Sequence, residues 1–219
     1  MSPSREVASR ELIVALLAAG RSSRMGRPKA LVELDGERAL ARLLRLARNA
    51  ELRALVVFGF DAADIQSGLG IELADARVVV NPRPELGQSS SVRLAAQQLV
   101  GEQSLVLWPV DHARVAEATF RRLLAAFRAR SPSIEMVVPS YRGRRGHPLL
   151  AGPGARRELA ALKDDEPAHG VVRRDLARVL HVTVDDPMVV ADFDTPEDLR
   201  SQGKPERPRR RGERGGEAR

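Results

Sequence analysis

The chain has 219 residues, 43% of them hydrophobic, with a formal net charge of +7, enough for one well-packed domain and too short for two comfortable ones. It contains no cysteine, which excludes disulfides, thiolate metal sites, iron–sulfur ligation and cysteine nucleophiles, and leaves carboxylates and histidines as the metal ligands. The first ten residues are polar and no apolar run approaches the ~18 residues a bilayer span requires, so neither a signal peptide nor a membrane anchor is expected and a cytoplasmic protein is.

The first element is the continuous apolar run Ile13–Leu17, as in a strand covered on both faces of a parallel sheet. Behind it lies AAGRSSRMGRPK, where Gly20 permits a sharp turn and Arg21, Arg24, Arg27 and Lys29 stand among Ser22 and Ser23. Backbone N–H groups, hydroxyls and cations at that density suit an anion such as a nucleoside triphosphate, although a solvated basic turn has the same composition. The spacing is neither GxxxxGK followed by Ser or Thr, nor GxGxxG, so a generic P-loop or dinucleotide fingerprint is excluded.

Asp35-Gly36 reads as a turn, followed by a helix whose apolar face is Leu40, Leu43, Leu44 and Ala47. Leu55–Phe58 is a strand ended by Gly59, Asp61 is placed to cap a helix reaching Leu69, and Val78–Val80 is the third strand. This alternation predicts an α/β domain with a mostly parallel sheet and helices on both faces. After Asn81 a Pro-containing loop runs to Gly87, and Ser89, Ser90 and Ser91 precede a helix with the face Val92, Ala95, Ala96 and Leu99. Serines there either cap the helix or offer hydroxyls and free N–H groups to a ligand.

Leu105–Val110 is the next strand, with Asp111 at its C-terminal end, where ligands gather in open parallel sheets. Asp111 either holds Mg²⁺ against a triphosphate or caps the helix beginning near Val115, whose face is Phe120, Leu123, Leu124 and Phe127. His112 is read as incidental. Met136–Pro139 is a strand, and Tyr141 to Pro148 reads as a hairpin turn into Leu149 and Leu150, with Arg142, Arg144 and Arg145 facing either a second anion or solvent. Residues 154–177 read as two short helices flanking Asp164–Pro167, and Val179–Val184 as an edge strand.

In the final segment, Asp192 and Asp194 flank Phe193 on an expected strand and so point to one side, an arrangement that is costly unless a cation or donor sits between them. Asp192 is taken as the second metal ligand and Asp194 as its structural partner, with the reverse assignment as the alternative. Thr195 as N-cap, Pro196 at the first helical position and Glu197-Asp198 in the first turn account for the remainder. From Ser201 the tail has seven Lys or Arg and three Glu, supplying +4 of the +7. It is rich in Pro, Gly and Arg, so it is expected to be disordered. The tail has no aromatic platform, which argues against a nucleic-acid partner. The expected division is a flexible 1–10, a domain over 11–200 and a basic tail over 201–219.

LAAGRSSRMGRPKAL resembles the signature LxxGxSxRMGxxKxL of the molybdopterin nucleotidyltransferase family, in particular its molybdenum cofactor cytidylyltransferase branch. Further similarity lies in Asn81–Leu94, Pro109–Val115, Gly146–Pro148 and Asp192–Leu199. The resemblance implies a Rossmann-like three-layer sandwich of the nucleotide-diphospho-sugar transferase type and Mg²⁺-dependent transfer of CMP from CTP to the terminal phosphate of molybdopterin. It assigns the triphosphate to Gly20, Ser22, Arg24, Met25, Gly26 and Lys29. Leu17, Ala18 and Ala19 match the LAAG form that goes with cytidine where the guanylyl branch has LAGG. Asn81, Gly87, Ser89 and Ser90 would line the cytosine and ribose. The metal would fall to Asp111 and Asp192, and the acceptor to Gly146, His147 and Pro148. Arg24, Lys29 and Asp111 would carry catalysis.

The chain departs from the family pattern in Asp111-His112-Ala113, where the family has Asp-Gln-Pro or Asp-Met-Pro, and in KDDEPAHGVVRRD, where many members have Gly-Asp-x-Gly-Ala-Arg. The second departure bears on the acceptor. A sugar- or polyol-phosphate nucleotidyltransferase, or a non-catalytic cofactor-binding protein, is the alternative. The expected partners are the two substrates and a molybdenum hydroxylase, and the expected state is a monomer.

Overall fold

The computed structural model describes residues 11–195 together with 197 and 198. The expected flexible start, the basic tail and Pro196 lie outside them. The chain order is β1 (Leu12–Ala18), β2 (Glu33–Leu34), β3 (Glu37–Arg38), α1 (Ala39–Asn49), β4 (Arg53–Phe58), α2 (Ala62–Leu69), β5 (Ala76–Val80) and α3 (Gln88–Gln97). It continues with β6 (Ser104–Pro109), α4 (Glu117–Ala129), β7 (Met136–Tyr141), β8 (Arg144–Arg145), β9 (Leu149–Ala151), α5 (Pro153–Ala160), α6 (His169–Arg174) and β10 (Val179–Thr183).

The main sheet runs β5-β4-β1-β6-β9-β7-β10, with β8 folded back on β7. β1 is parallel to β4 and β6, β5 to β4, and β10 to β7, while β9 is antiparallel to both β6 and β7. The sheet is therefore mostly parallel with one reversed strand near its middle. Side chains on β1 alternate between two cores. Ile13, Ala15 and Leu17 pack with α3, α5 and α6, whereas Val14, Leu16 and Ala18 pack with α1, α2 and α4. Two apolar faces on one strand require two helical layers, and the result is a three-layer sandwich.

The helix faces read from spacing are the ones buried: Leu40, Leu43, Leu44 and Ala47 on α1, and Phe120, Leu123, Leu124 and Phe127 on α4. Asp35 (φ 54) and Gly36 (φ 82) make the two-residue turn between β2 and β3, and Arg142 (φ 49) and Gly143 (φ 79) the turn between β7 and β8. Both turns place two successive residues in the left-handed region, which matches the strand twist of a tight hairpin.

Three local expectations are corrected. Asp61 stands at the N-cap of α2 but its side chain makes no capping bond. Helix α4 begins at Glu117 and is not capped by Asp111. Its first turn is held by Asp186, whose Oδ2 accepts from the Ala116 backbone N–H at 3.0 Å and the Thr119 hydroxyl at 2.8 Å, while Oδ1 accepts from Met188 N–H at 2.9 Å. A cap drawn from 70 residues downstream leaves no local sequence pattern. The stretch around Asp192–Asp194 is not a strand, since it joins no ladder and is pinned by the buried ring of Phe193.

Asp186 is itself buried, so its replacement strands three donors. Asp186→Ala is expected to lower unfolding free energy by about 2 kcal/mol, read from urea denaturation.

Candidate active site

All the parallel strands that carry loop residues of interest end on one side of the sheet. Together these loops enclose a cleft of about 580 Å³ lined by Leu17–Ser22, Lys29, Ala30, Phe60, Ile65, Pro84, Glu85, Gly87, Gln88, Ser91 and Pro109–Asp111. The loop after β1 is closed on itself. Ser22 Oγ accepts from the Lys29 N–H at 2.9 Å, Met25 N–H donates to Ser22 O at 3.0 Å, and Gly26 takes the left-handed backbone (φ 68) that returns the chain. Met25 is buried in the core and anchors the loop from below. Of the residues expected to hold phosphates, Gly20, Ser22 and Lys29 line the cleft, whereas Met25 and Gly26 shape the loop and Arg24 reaches across to a carboxylate.

Gly59 was not foreseen as part of this frame. A Cβ there would lie 2.4 Å from the Ala19 carbonyl oxygen, so only glycine lets the end of β4 pass beneath the loop.

At the mouth of the cleft Asp111, Asp192 and Asp194 each present an oxygen within 4.8 Å of the others. Lys29 Nζ contacts Asp194 Oδ1 directly and stands 3.6 Å from Asp111 Oδ2, and Arg24 Nη2 is 2.6 Å from Asp194 Oδ2. The hydrogen bond from Lys29, and the charges of Lys29 and Arg24, hold the Asp194 carboxyl below its ordinary range. Three carboxylates facing two cations leave one negative charge in surplus. The buried Asp111 Oδ1 also has no hydrogen-bond partner. An unmet hard oxygen in a surplus-negative, all-carboxylate set suits a divalent cation of the magnesium type. Asp192 is exposed, and Asp194 is occupied by the two cations.

The strand end bearing Asp111 is rigid because Trp108, fully buried against Phe120, donates its indole N–H to His112 O at 3.1 Å. His112, read from sequence as incidental, is itself buried. Its Nδ1 lies 3.4 Å from Met188 O and its Nε2 3.9 Å from Asp111 Oδ1.

Asn81 and Ser90 do not line the cleft. Asn81 is buried and donates to Ser90 Oγ at 2.8 Å and Ser91 Oγ at 2.9 Å, while accepting from Arg83 N–H at 3.0 Å. They brace the turn from Arg83 to Gly87 against α3, because polar groups buried this deeply must satisfy one another. Ser89 Oγ accepts from Ala168 N–H at 2.9 Å and faces a second cavity. Within the serine run it is Ser91, with Gln88, that faces the cleft. One residue of helix rotates a side chain by about 100°, so the face could be read only once the helix start was known.

The second cavity, about 330 Å³, shares Leu17, Gln88 and Pro109 with the first. Its floor is apolar, with Leu107, Met136, Val138 and Leu149, and its rim carries Arg145, His169 and Arg173. Gly146 and His147 line it; Pro148, which follows a cis peptide bond, does not. Any Cβ on Gly146 would meet Val189 O at 1.9 Å. The loop 162–168 reaches this cavity at Ala168, and its Asp164 pairs with Arg83 at 3.1 Å and Arg93 at 2.5 Å. Burial, reinforced by the neighbouring His112 ring at 4.7 Å, pushes the His147 imidazole down to about 3.

The geometry defines an α/β protein whose basic loop and acidic cluster face one another across the carboxyl ends of parallel strands. Residues 14–195 match the MobA-like NTP transferase domain, and the chain belongs to that family of nucleotidyltransferases. It is 30% identical over 164 residues to a molybdenum cofactor guanylyltransferase of Xanthomonas euvesicatoria, covering 71% of this chain and 80% of that one. Over 95 residues it is 34% identical to a bifunctional IPC transferase and DIPP synthase of Thermococcus kodakarensis, a match covering 42% of this chain and 22% of that protein. The structure of Rv0371c from Mycobacterium tuberculosis in complex with manganese superposes with a TM-score of 0.70 at 27% identity, covering 87% of this chain and 96% of that one. Among the described residues no helix is long and apolar enough to cross a membrane.

A neutral buried His147 makes stability depend on pH. Between about 6.5, where an unfolded histidine titrates, and about 3, the unfolded chain binds a proton that the folded one refuses, so acidification through this window removes stability. The stability advantage of the wild type over His147→Leu is expected to shrink by about 2 kcal/mol between pH 7 and pH 5 in urea titrations. An unchanged difference would show that His147 charges freely in the folded state.

Proposed function

We propose that this chain transfers CMP from CTP to the terminal phosphate of a molybdopterin-type acceptor and releases pyrophosphate. The observation that carries the reading is the placement of Lys29 and Arg24 between the loop after β1 and the cluster Asp111, Asp192 and Asp194. A triphosphate lying along that loop brings its charge to both cations, and its α-phosphorus towards the carboxylates.

In this reading the acceptor's phosphate oxygen attacks the α-phosphorus of CTP, the bond to the β-phosphate oxygen breaks, and the pyrophosphate departs with that electron pair. The attacking oxygen is already anionic, so no side chain has to remove a proton. Lys29 and Arg24 turn from Asp194 towards the phosphates and stabilise charge gathering on the leaving group. Asp111 and Asp192, with Asp194 beside them, fit a divalent cation, magnesium in this proposal, which supplies charge screening between the two reacting phosphate groups. Ala19 in the LAAG form favours cytosine, and the second cavity beyond Gly146 and His147 takes the acceptor.

A second reading takes a sugar or polyol phosphate as the acceptor, supported by similarity to relatives named for other reactions, such as the bifunctional IPC transferase and DIPP synthase. A turnover screen separates them. CTP with Mo-molybdopterin and Mg²⁺ is expected to release pyrophosphate faster than GTP or UTP, and faster than CTP with sugar phosphates. Asp111→Asn is expected to lower that rate on the order of a thousandfold and to weaken Mn²⁺ binding measured by paramagnetic relaxation. Full activity in Asp111→Asn would remove the metal assignment.

A further inference from the structure

Phe60 is an exposed aromatic side chain that folding does not explain. It follows Gly59 at the end of β4, lies 36% exposed where Phe58 is fully buried, and lines the same cleft as the loop after β1. Its ring is covered by the Arg21 guanidinium, 4.3 Å from the centroid, and Arg21 comes from the phosphate-side loop. A phenylalanine left partly exposed at a cleft rim loses part of the burial that would justify its hydrophobicity. A planar guanidinium over the ring occupies the same kind of seat as a planar heterocycle, since both stack on an aromatic face. Pro84 and Glu85 line the same cleft.

We infer that Phe60 is the stacking wall for the nucleobase of the bound nucleotide, with Arg21 as its placeholder in the ligand-free protein. When the base takes the ring face, Arg21 is released towards the phosphates beside Ser22 and Lys29, so one event gains base stacking and adds a cation to the cradle. Stacking uses the π-face that every base possesses, so Phe60 strengthens nucleotide binding without selecting the base. This leaves base choice to groups that read edges. The inference rests on the nucleotide-binding reading above and adds a positioning residue that the loop motif does not contain.

The test is equilibrium binding of CTP, GTP and inorganic tripolyphosphate, each with Mn²⁺, to the full chain by calorimetry. In Phe60→Ala the dissociation constants for CTP and GTP are expected to rise together by about tenfold or more, and Phe60→Tyr is expected to stay within about twofold of the wild type. Tripolyphosphate, which has no base, is expected to bind Phe60→Ala and wild type alike. The inference is overturned if Phe60→Ala binds CTP as the wild type does, or if tripolyphosphate weakens as much as CTP, which would place the residue in loop support. If the wild type binds none of the nucleotides, the nucleotide reading itself fails, and the two failures are thereby distinct. Circular dichroism of Phe60→Ala checks the fold, which an exposed ring is not expected to disturb.

Discussion

The contact on which the site depends is the one between Lys29 and Asp194. These residues are 165 positions apart in the chain, one at the end of the loop after the first strand and the other just before the chain leaves the described residues. Their ion pair sits at the edge of the cleft with Lys29 mostly shielded, where charge attraction is less damped than in open water. It brings the basic loop and the acidic cluster into one constellation. Either group alone is unremarkable in chemical terms: a basic turn attracts counter-ions and a carboxylate cluster repels itself. Together they neutralise each other incompletely, which leaves room for both a cation and a polyanion.

The sheet supports this by construction. β1, β4, β5 and β6 are parallel, so the segments following their ends rise on one side, and the loop, Phe60, the turn at Pro84 and Asp111 all open onto it. The reversed strand β9 breaks the pattern immediately beside β6. It carries Gly146 and His147 in on its leading segment, which is how a second cavity comes to share Leu17, Gln88 and Pro109 with the first. Two adjoining cavities result, one bordered by the loop that carries Arg21, Ser22 and Lys29 and the other with an apolar floor and a rim of Arg145, His169 and Arg173.

The tight tolerances lie where backbone meets backbone. Gly59 under Ala19 and Gly146 against Val189 leave no space for a methyl group, and each joins a cleft-forming loop to the segment behind it. The polar frame of Asn81, Ser90 and Ser91 does comparable work through hydrogen bonds, holding the turn that presents Pro84 and Glu85. Residues resembling ligand-binding groups in sequence can thus belong to the wall behind the site rather than to its surface.

What the sequence by itself determined is the layered α/β fold and the basic loop that follows its first strand. Strand alternation and helical spacing are set by backbone geometry, and the loop residues lie within a dozen positions of one another. Asp111 was legible by its position, two residues past the end of the buried strand β6. Tertiary structure decided everything that depends on rotation or on distance along the chain: which serine of three faces the cleft, that Asp186 rather than Asp111 caps α4, that Asp192 and Asp194 meet Asp111 without a strand to align them, and that Phe60 stands free beneath Arg21. Local sequence constrains torsions and periodicity, but the facing of two side chains across a cleft is fixed only when the packed core sets the position of both backbones.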